Sequence, residues 1–193
     1  MMRMKKVFLV FSISVFIMLS GCSGVKKPVE TVKRSSPRVI KIKEVAPPKP
    51  PLTTADEVVV VKSTRKMYLL KQGQIFQEYR ISLGERPIGH KGAEGDKKTP
   101  EGRYIIDYRN PESNFHLSLH INYPSHTDRQ SAANNGVNPG GQIFIHGIPN
   151  SRSYNPNEFK GRDWTDGCIA MSNQEIAEFW VLVKDGTPIE IKP

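Results

Sequence analysis

Charge is divided so unevenly along this chain of 193 residues that only one part of it is suited to folding. Residues 1–55 hold eleven Lys/Arg against two acids, a balance of +9, whereas residues 56–193 hold seventeen of each. Within the first part, residues 23–55 carry eight bases, the acids Glu30 and Glu44, and six prolines. A stretch of that make-up buries too little apolar surface to offset its ordering entropy, and proline with like charge favours extension. It reads as a basic tether that, in polyproline II at about 3.1 Å per residue, reaches at most about 100 Å. The electrically balanced remainder, 56–193, is the right length for one domain with its own core.

The chain opens with Arg3, Lys5 and Lys6, and residues 7–19 form an apolar run broken only by Ser12 and Ser14. At 1.5 Å per residue that run is too short to cross a bilayer core of about 30 Å, and it ends in Leu19-Ser20-Gly21-Cys22, small residues directly before a cysteine. The pattern resembles the lipobox of bacterial lipoproteins. The resemblance implies a signal peptide over 1–21, cleavage before Cys22, and a lipidated Cys22 with its tether over 22–55. An ordinary secretory leader is the alternative. In the lipoprotein reading Cys22 is consumed as a membrane anchor, so no disulfide to Cys168 is expected. Ser23 after the anchor resembles the sorting rule for the outer membrane in a cell with two membranes. Nucleic acid is not an expected partner of an exported chain, so the basic arm reads first as a spacer and second as a contact for anionic headgroups or polymers.

In the domain, 57–62 and 66–71 are rich in Val, Tyr and Leu, and Lys71-Gln72-Gly73 is a hairpin turn into a third strand over 75–83. A Gly-rich loop over 84–102 follows. Strands are then expected at 103–109, 117–123 and 142–146, with a long polar loop over 124–141. One helix is clear, near the C-terminus, where Ser172-Asn173-Gln174-Glu175 forms a capping box and Ile176, Ala177, Phe179, Trp180 and Val183 give helical spacing. A strand over 188–192 closes the chain. The fold class is mainly β, with long loops of the kind that carry function.

With Cys22 explained, Cys168 remains as a lone thiol, preceded by Gly167 and reached from a Phe-Ile-His-Gly segment at 144–147. The thiolate is the nucleophilic form, and an unperturbed thiol with pKa near 8.5 is only slightly ionised at neutrality, so a base or a cluster of backbone donors has to raise its activity. His146 is the candidate base, with the Gly147 carbonyl taking its second proton and fixing the tautomer. A turn at Gly167 would aim N–H groups at an oxyanion, and Trp164 is a candidate wall for the cleft. A buried, inert Cys is the competing reading of the residues alone. His116 and His120 are four apart, but on a strand that spacing separates them by about 13 Å, so no metal site is expected, and no cofactor is called for.

From Val58 onward the chain resembles the L,D-transpeptidase catalytic domain of the YkuD type. The matching elements run through the domain: Arg65-Lys66-Met67-Tyr68-Leu69, Gly95-Asp96 with Thr99-Pro100-Glu101-Gly102, Ser118-Leu119, Tyr123-Pro124, Pro139-Gly140-Gly141, Ile145-His146-Gly147 and Thr165-Asp166-Gly167-Cys168-Ile169. The resemblance implies a β-sandwich with short helices, Cys168 as nucleophile, His146 as base, and Thr165 and Gly167 against the substrate or oxyanion. Asp166 stands where the signature often has His, and Ala170 where many members have Arg or Asn. Arg152, Lys160 and Arg162 are candidates to supply that missing charge.

The activity implied is two-step acyl transfer. Cys168 attacks a peptidoglycan stem peptide at the L-centre of a diamino acid, releases the terminal D-residue and holds a thioester, which an amine then takes. That amine belongs to another stem peptide or to an envelope protein. With water as acceptor the same site is a wall hydrolase, the alternative suggested by the Cys-Ile-Ala-Met ending. An inactive wall-binding lipoprotein is the remaining possibility.

Overall fold

The computed structural model describes residues 53–151, 155–159 and 161–193, all within the second of the two units into which the chain divides, Pro48–Pro193. The lipobox with Cys22, the tether, and the candidate cations Arg152 and Lys160 lie outside the described residues.

Eight strands form one sheet: β1 (Glu57–Val61), β2 (Lys66–Lys71), β3 (Gln74–Arg80), β4 (Gly102–Asn110), β5 (Ser118–Ile121), β6 (Ile143–His146), β7 (Ile169–Ala170) and β8 (Thr187–Lys192). Their spatial order is β3-β2-β1-β8-β4-β5-β6-β7. The pairings are antiparallel except β1 with β8 and β6 with β7. β4 binds the two halves together, pairing with β8 through Gly102–Ile106 and with β5 through Ile106–Asn110, with a register shift between Ile106 and Tyr108. Beyond β3 the chain turns back on the opposite edge, where Ser82 bridges Ala170 and Gly84 bridges Thr165. The two layers anticipated as a sandwich are thus halves of one sheet curled into a half-barrel.

Alternation explains the core. In β1 Val58 and Val60 are buried between half-buried neighbours, and they meet Met67 and Leu69 of β2, Ile189 and Ile191 of β8, and Ile121, Ile145 and Ile169 from the other half. Each such side chain contributes about 1.5–3 kcal/mol on burial. Helix α2 (Asn173–Leu182) covers this core with Ile176, Phe179 and Leu182, and Ser172 and Glu175 form the capping box expected at its start. Arg109 holds the other end, donating to the carbonyls of Trp180 and Val183 and pairing with Asp185.

The polar loop expected over 124–141 contains a second helix, α1 (His126–Asn134). It buries only Ala132, so it carries no apolar periodicity to read. A capping box from Ser125 to Asp128 starts it, and Asp128 also receives the Tyr104 hydroxyl at 3.1 Å and pairs with His90 at 3.2 Å. The Gly-rich segment after Gly84 is tied just as firmly. Lys62, almost fully buried, donates to the carbonyls of Gly89 and Thr99 and to Glu101, while Thr99 accepts the Gly84 N–H at 3.0 Å.

Candidate active site

β6 and β7 run parallel and side by side, with Ile145 opposite Ile169 and His146 opposite Ala170. One step back along both strands, Phe144 N–H points at the Cys168 sulfur at 3.4 Å. Cys168 directly precedes β7, and its sulfur lies against the backbone of β6, between the Gln142 carbonyl and the Phe144 N–H, while His146 ends that strand. Strand spacing and rise put their Cα atoms about 8 Å apart on the diagonal. The thiol is half-buried, and the imidazole is only 4% exposed.

His146 Nδ1 lies 2.7 Å from the Gly147 carbonyl. A carbonyl only accepts, so Nδ1 carries the proton and Nε2 keeps its lone pair. Burial lowers the His146 pKa from its ordinary value, the Gly147 contact opposing only in part. Phe115 tilts against the ring at 4.6 Å and Trp164 meets it edge-on at 5.7 Å, which fixes its plane. Gly147 has to be glycine, because a Cβ there would stand 2.5 Å from Asn173 Oδ1 and 2.8 Å from the Phe115 carbonyl.

Burial likewise raises the Cys168 pKa, with the Asp166 charge acting in the same direction and the Phe144 N–H and the Lys91 ammonium opposing. Both shifts favour the uncharged forms, imidazole and thiol. Among the described residues the two are not hydrogen bonded to each other, and the sulfur instead faces the Gln142 carbonyl at 3.6 Å. Resting catalytic groups commonly close only around substrate.

Thr165 and Gly167 stand in the turn with their polar groups directed inward. The Thr165 hydroxyl donates to the Cys168 carbonyl at 2.7 Å and accepts the Gly167 N–H at 3.2 Å, so neither is offered to an oxyanion in this structure. Gly167 is needed for another reason: its φ is +133°, and a Cβ would lie 2.6 Å from the Lys98 carbonyl. Within this turn the N–H groups of Asp166 and Cys168 have no acceptor among the described residues. Lys98 is held in turn by Asp96, which accepts from the N–H groups of Lys98, Gly92 and Ala93 and from the buried Lys91 ammonium at 2.8 Å.

Of the other candidates, Arg162 is exposed, and Asp163 binds Arg65 and the Leu83 N–H. Sequence reading missed Phe115, Lys91, Asp96 and Asn173, all of which position the site through contacts distant in sequence. Only the Gly95-Asp96 pair carried a signal.

The half-barrel thus brings a thiol just before β7 and a tautomer-fixed imidazole at the end of β6 to neighbouring parallel strands. The chain belongs to the family of L,D-transpeptidase catalytic domains of the YkuD type, whose model matches residues 55–191. YafK of Escherichia coli (strain K12) is 29% identical over 115 residues, covering 58% of this chain and 39% of YafK. The crystal structure of the helical cell shape determining protein Pgp2 from Campylobacter jejuni is similar with a TM-score of 0.54 and 30% identity, over 71% of this chain and 48% of that one. Bd1075 of Bdellovibrio bacteriovorus gives a TM-score of 0.50 and 27% identity, over 72% and 48%. The chain thus spans less than half the length of these relatives.

Proposed function

We propose that this protein is a peptidoglycan L,D-transpeptidase that works through a Cys168 thioester. The observation that carries the reading is the Gly147 carbonyl on His146 Nδ1, which leaves Nε2 as a base on the strand whose backbone the thiol sits against. Because burial favours the uncharged form of both groups, the proton moves as the bond forms: Nε2 takes the Cys168 proton while sulfur attacks the carbonyl at the L-centre of the stem peptide's diamino acid. The oxyanion that forms faces the free Cys168 N–H. Collapse of the intermediate expels the terminal D-residue as its amine, protonated by His146, and leaves the thioester. An acceptor amine then attacks, giving its proton to Nε2, and the thiol is restored. Membership of the family supports the substrate class, and the cell-shape role named for Pgp2 supports a place in wall remodelling.

The same reading puts the domain on a lipid anchor at Cys22, at the periplasmic face of the outer membrane in a cell with two membranes, with stem peptides and an envelope protein as acceptors. Fatty-acid labelling lost in Cys22→Ala supports the anchor, and an unlabelled mature protein removes it. For the activity, the full chain is incubated with wall tetrapeptide fragments beside a Cys168→Ala control. Crosslinked or amino-acid-exchanged product that depends on Cys168 is expected. Trimmed peptide alone assigns water as the acceptor, and no Cys168-dependent product from folded protein refutes the enzyme.

A further inference from the structure

Starting at Ala170, two residues beyond the thiol, a cavity of about 750 Å³ lined by neither Cys168 nor His146 runs between the end of β3 and the start of α2. Trp164 forms the wall it shares with His146, and Arg80, Ser82, Ala170, Ser172 and Gln174 line the rest with their neighbours. Two of its side-chain acceptors are already engaged. Glu175 Oε2 takes the Ser172 N–H and hydroxyl at 3.0 and 2.6 Å, and Asn173 Oδ1 takes the Ile148 N–H at 2.9 Å. Its donors are not: among the described residues no group accepts from the Arg80 guanidinium, the Trp164 indole N–H or the Gln174 amide. Lys66, across the strand from Arg80, is neutralised by Glu78 at 2.7 Å, so Glu175 is the one anion facing a set of free donors.

We infer that this cavity is a subsite for a carboxylate of the acyl-donor peptide, held by Arg80 with Trp164 and Gln174 beside it. The inference rests on the transpeptidase reading for the identity of the peptide. Position sets which carboxylate it is. Ala170 lies two residues beyond Cys168, and Arg80 lies two residues before Ser82, the bridge partner of Ala170. Both steps lead away from the nucleophile, which puts the Arg80 Cα about 13 Å along the strand direction from Cys168. An arginine side chain reaching back covers roughly half of that. The carboxylate therefore sits within one to two residues of the attacked carbonyl. A guanidinium fork suits a carboxylate better than an ammonium does.

Binding is measured by titration calorimetry on the full chain carrying Cys168→Ala, with the stem tetrapeptide and with the same peptide in which every carboxylate is a carboxamide. Amidation is expected to weaken binding about ten-fold, Arg80→Gln to weaken the acidic peptide by the same factor, and the two together to cost no more than either alone, with Arg80→Lys recovering part. Equal losses on both peptides, no loss in Arg80→Gln, or no binding of the acidic peptide would each overturn the subsite. Coupling without Cys168-dependent product refutes transfer and leaves the subsite standing, while product formation without coupling does the reverse.

Discussion

Asp96 does its work at one remove from the chemistry, and its removal has a calculable consequence. Burial alone would raise its carboxyl, yet the Lys91 ammonium and the N–H groups of Lys98, Ala93 and Gly92 bring it down to about 2 from the ordinary 3.8. A difference of that size corresponds to about 2 kcal/mol of folding stability. Because the folded carboxyl titrates below the free one, this stability is complete above about pH 4 and is lost as pH falls toward 2. Asp96→Asn should therefore lose about 2 kcal/mol in urea unfolding at pH 7, or somewhat more because the buried Lys91 then lacks its counterion, and the gap to the parent should close below pH 3. A stability gap under 0.5 kcal/mol at pH 7, or one that does not change between pH 2 and 6, would refute the reasoning.

Gly167→Ala forces a side chain to within 2.6 Å of a carbonyl at a φ of +133°, and should cost about 2–5 kcal/mol in stability, read by thermal or urea unfolding. The raised Cys168 thiol should give an iodoacetamide rate that keeps climbing with pH through the ordinary thiol range; a plateau below about pH 8 would contradict it. Arg109→Ala removes two carbonyl contacts at the end of α2 and the cation lying 5.2 Å from the Trp180 ring, and should destabilise the domain by about 1–3 kcal/mol with a change in Trp emission.

The strands were legible because their alternation in Val58–Val60, Met67–Leu69 and Ile189–Ile191 is the code for a sheet with one buried face. The capping box at Ser172 announced α2 for the same local reason. α1 was not legible by periodicity, since a helix burying one alanine is held by Asp128 reaching Tyr104 and His90, contacts that no window of sequence contains. Its Ser125-to-Asp128 box was the one available signal. At the site, residue type made Cys168 and His146 candidates, and the family resemblance was what implied their roles. The use of Thr165 and Gly167 inside the turn was hidden, because a hydroxyl near a nucleophile looks the same whether it faces substrate or its own backbone. Two-residue β7 is likewise too short to carry a pattern, although its pairing with β6 is what brings the thiol against the strand that ends in His146.

The central claim is that Cys168 forms the acyl intermediate with His146 as its base. Intact-mass analysis of the full chain mixed with stem tetrapeptide, beside His146→Gln and Cys168→Ala, tests it most directly. The account predicts an adduct equal to the peptide less its terminal residue on the parent chain. It also predicts formation at least about 100-fold slower in His146→Gln, and no adduct in Cys168→Ala. An adduct that persists in Cys168→Ala, or one that forms at the parent rate in His146→Gln, would contradict it.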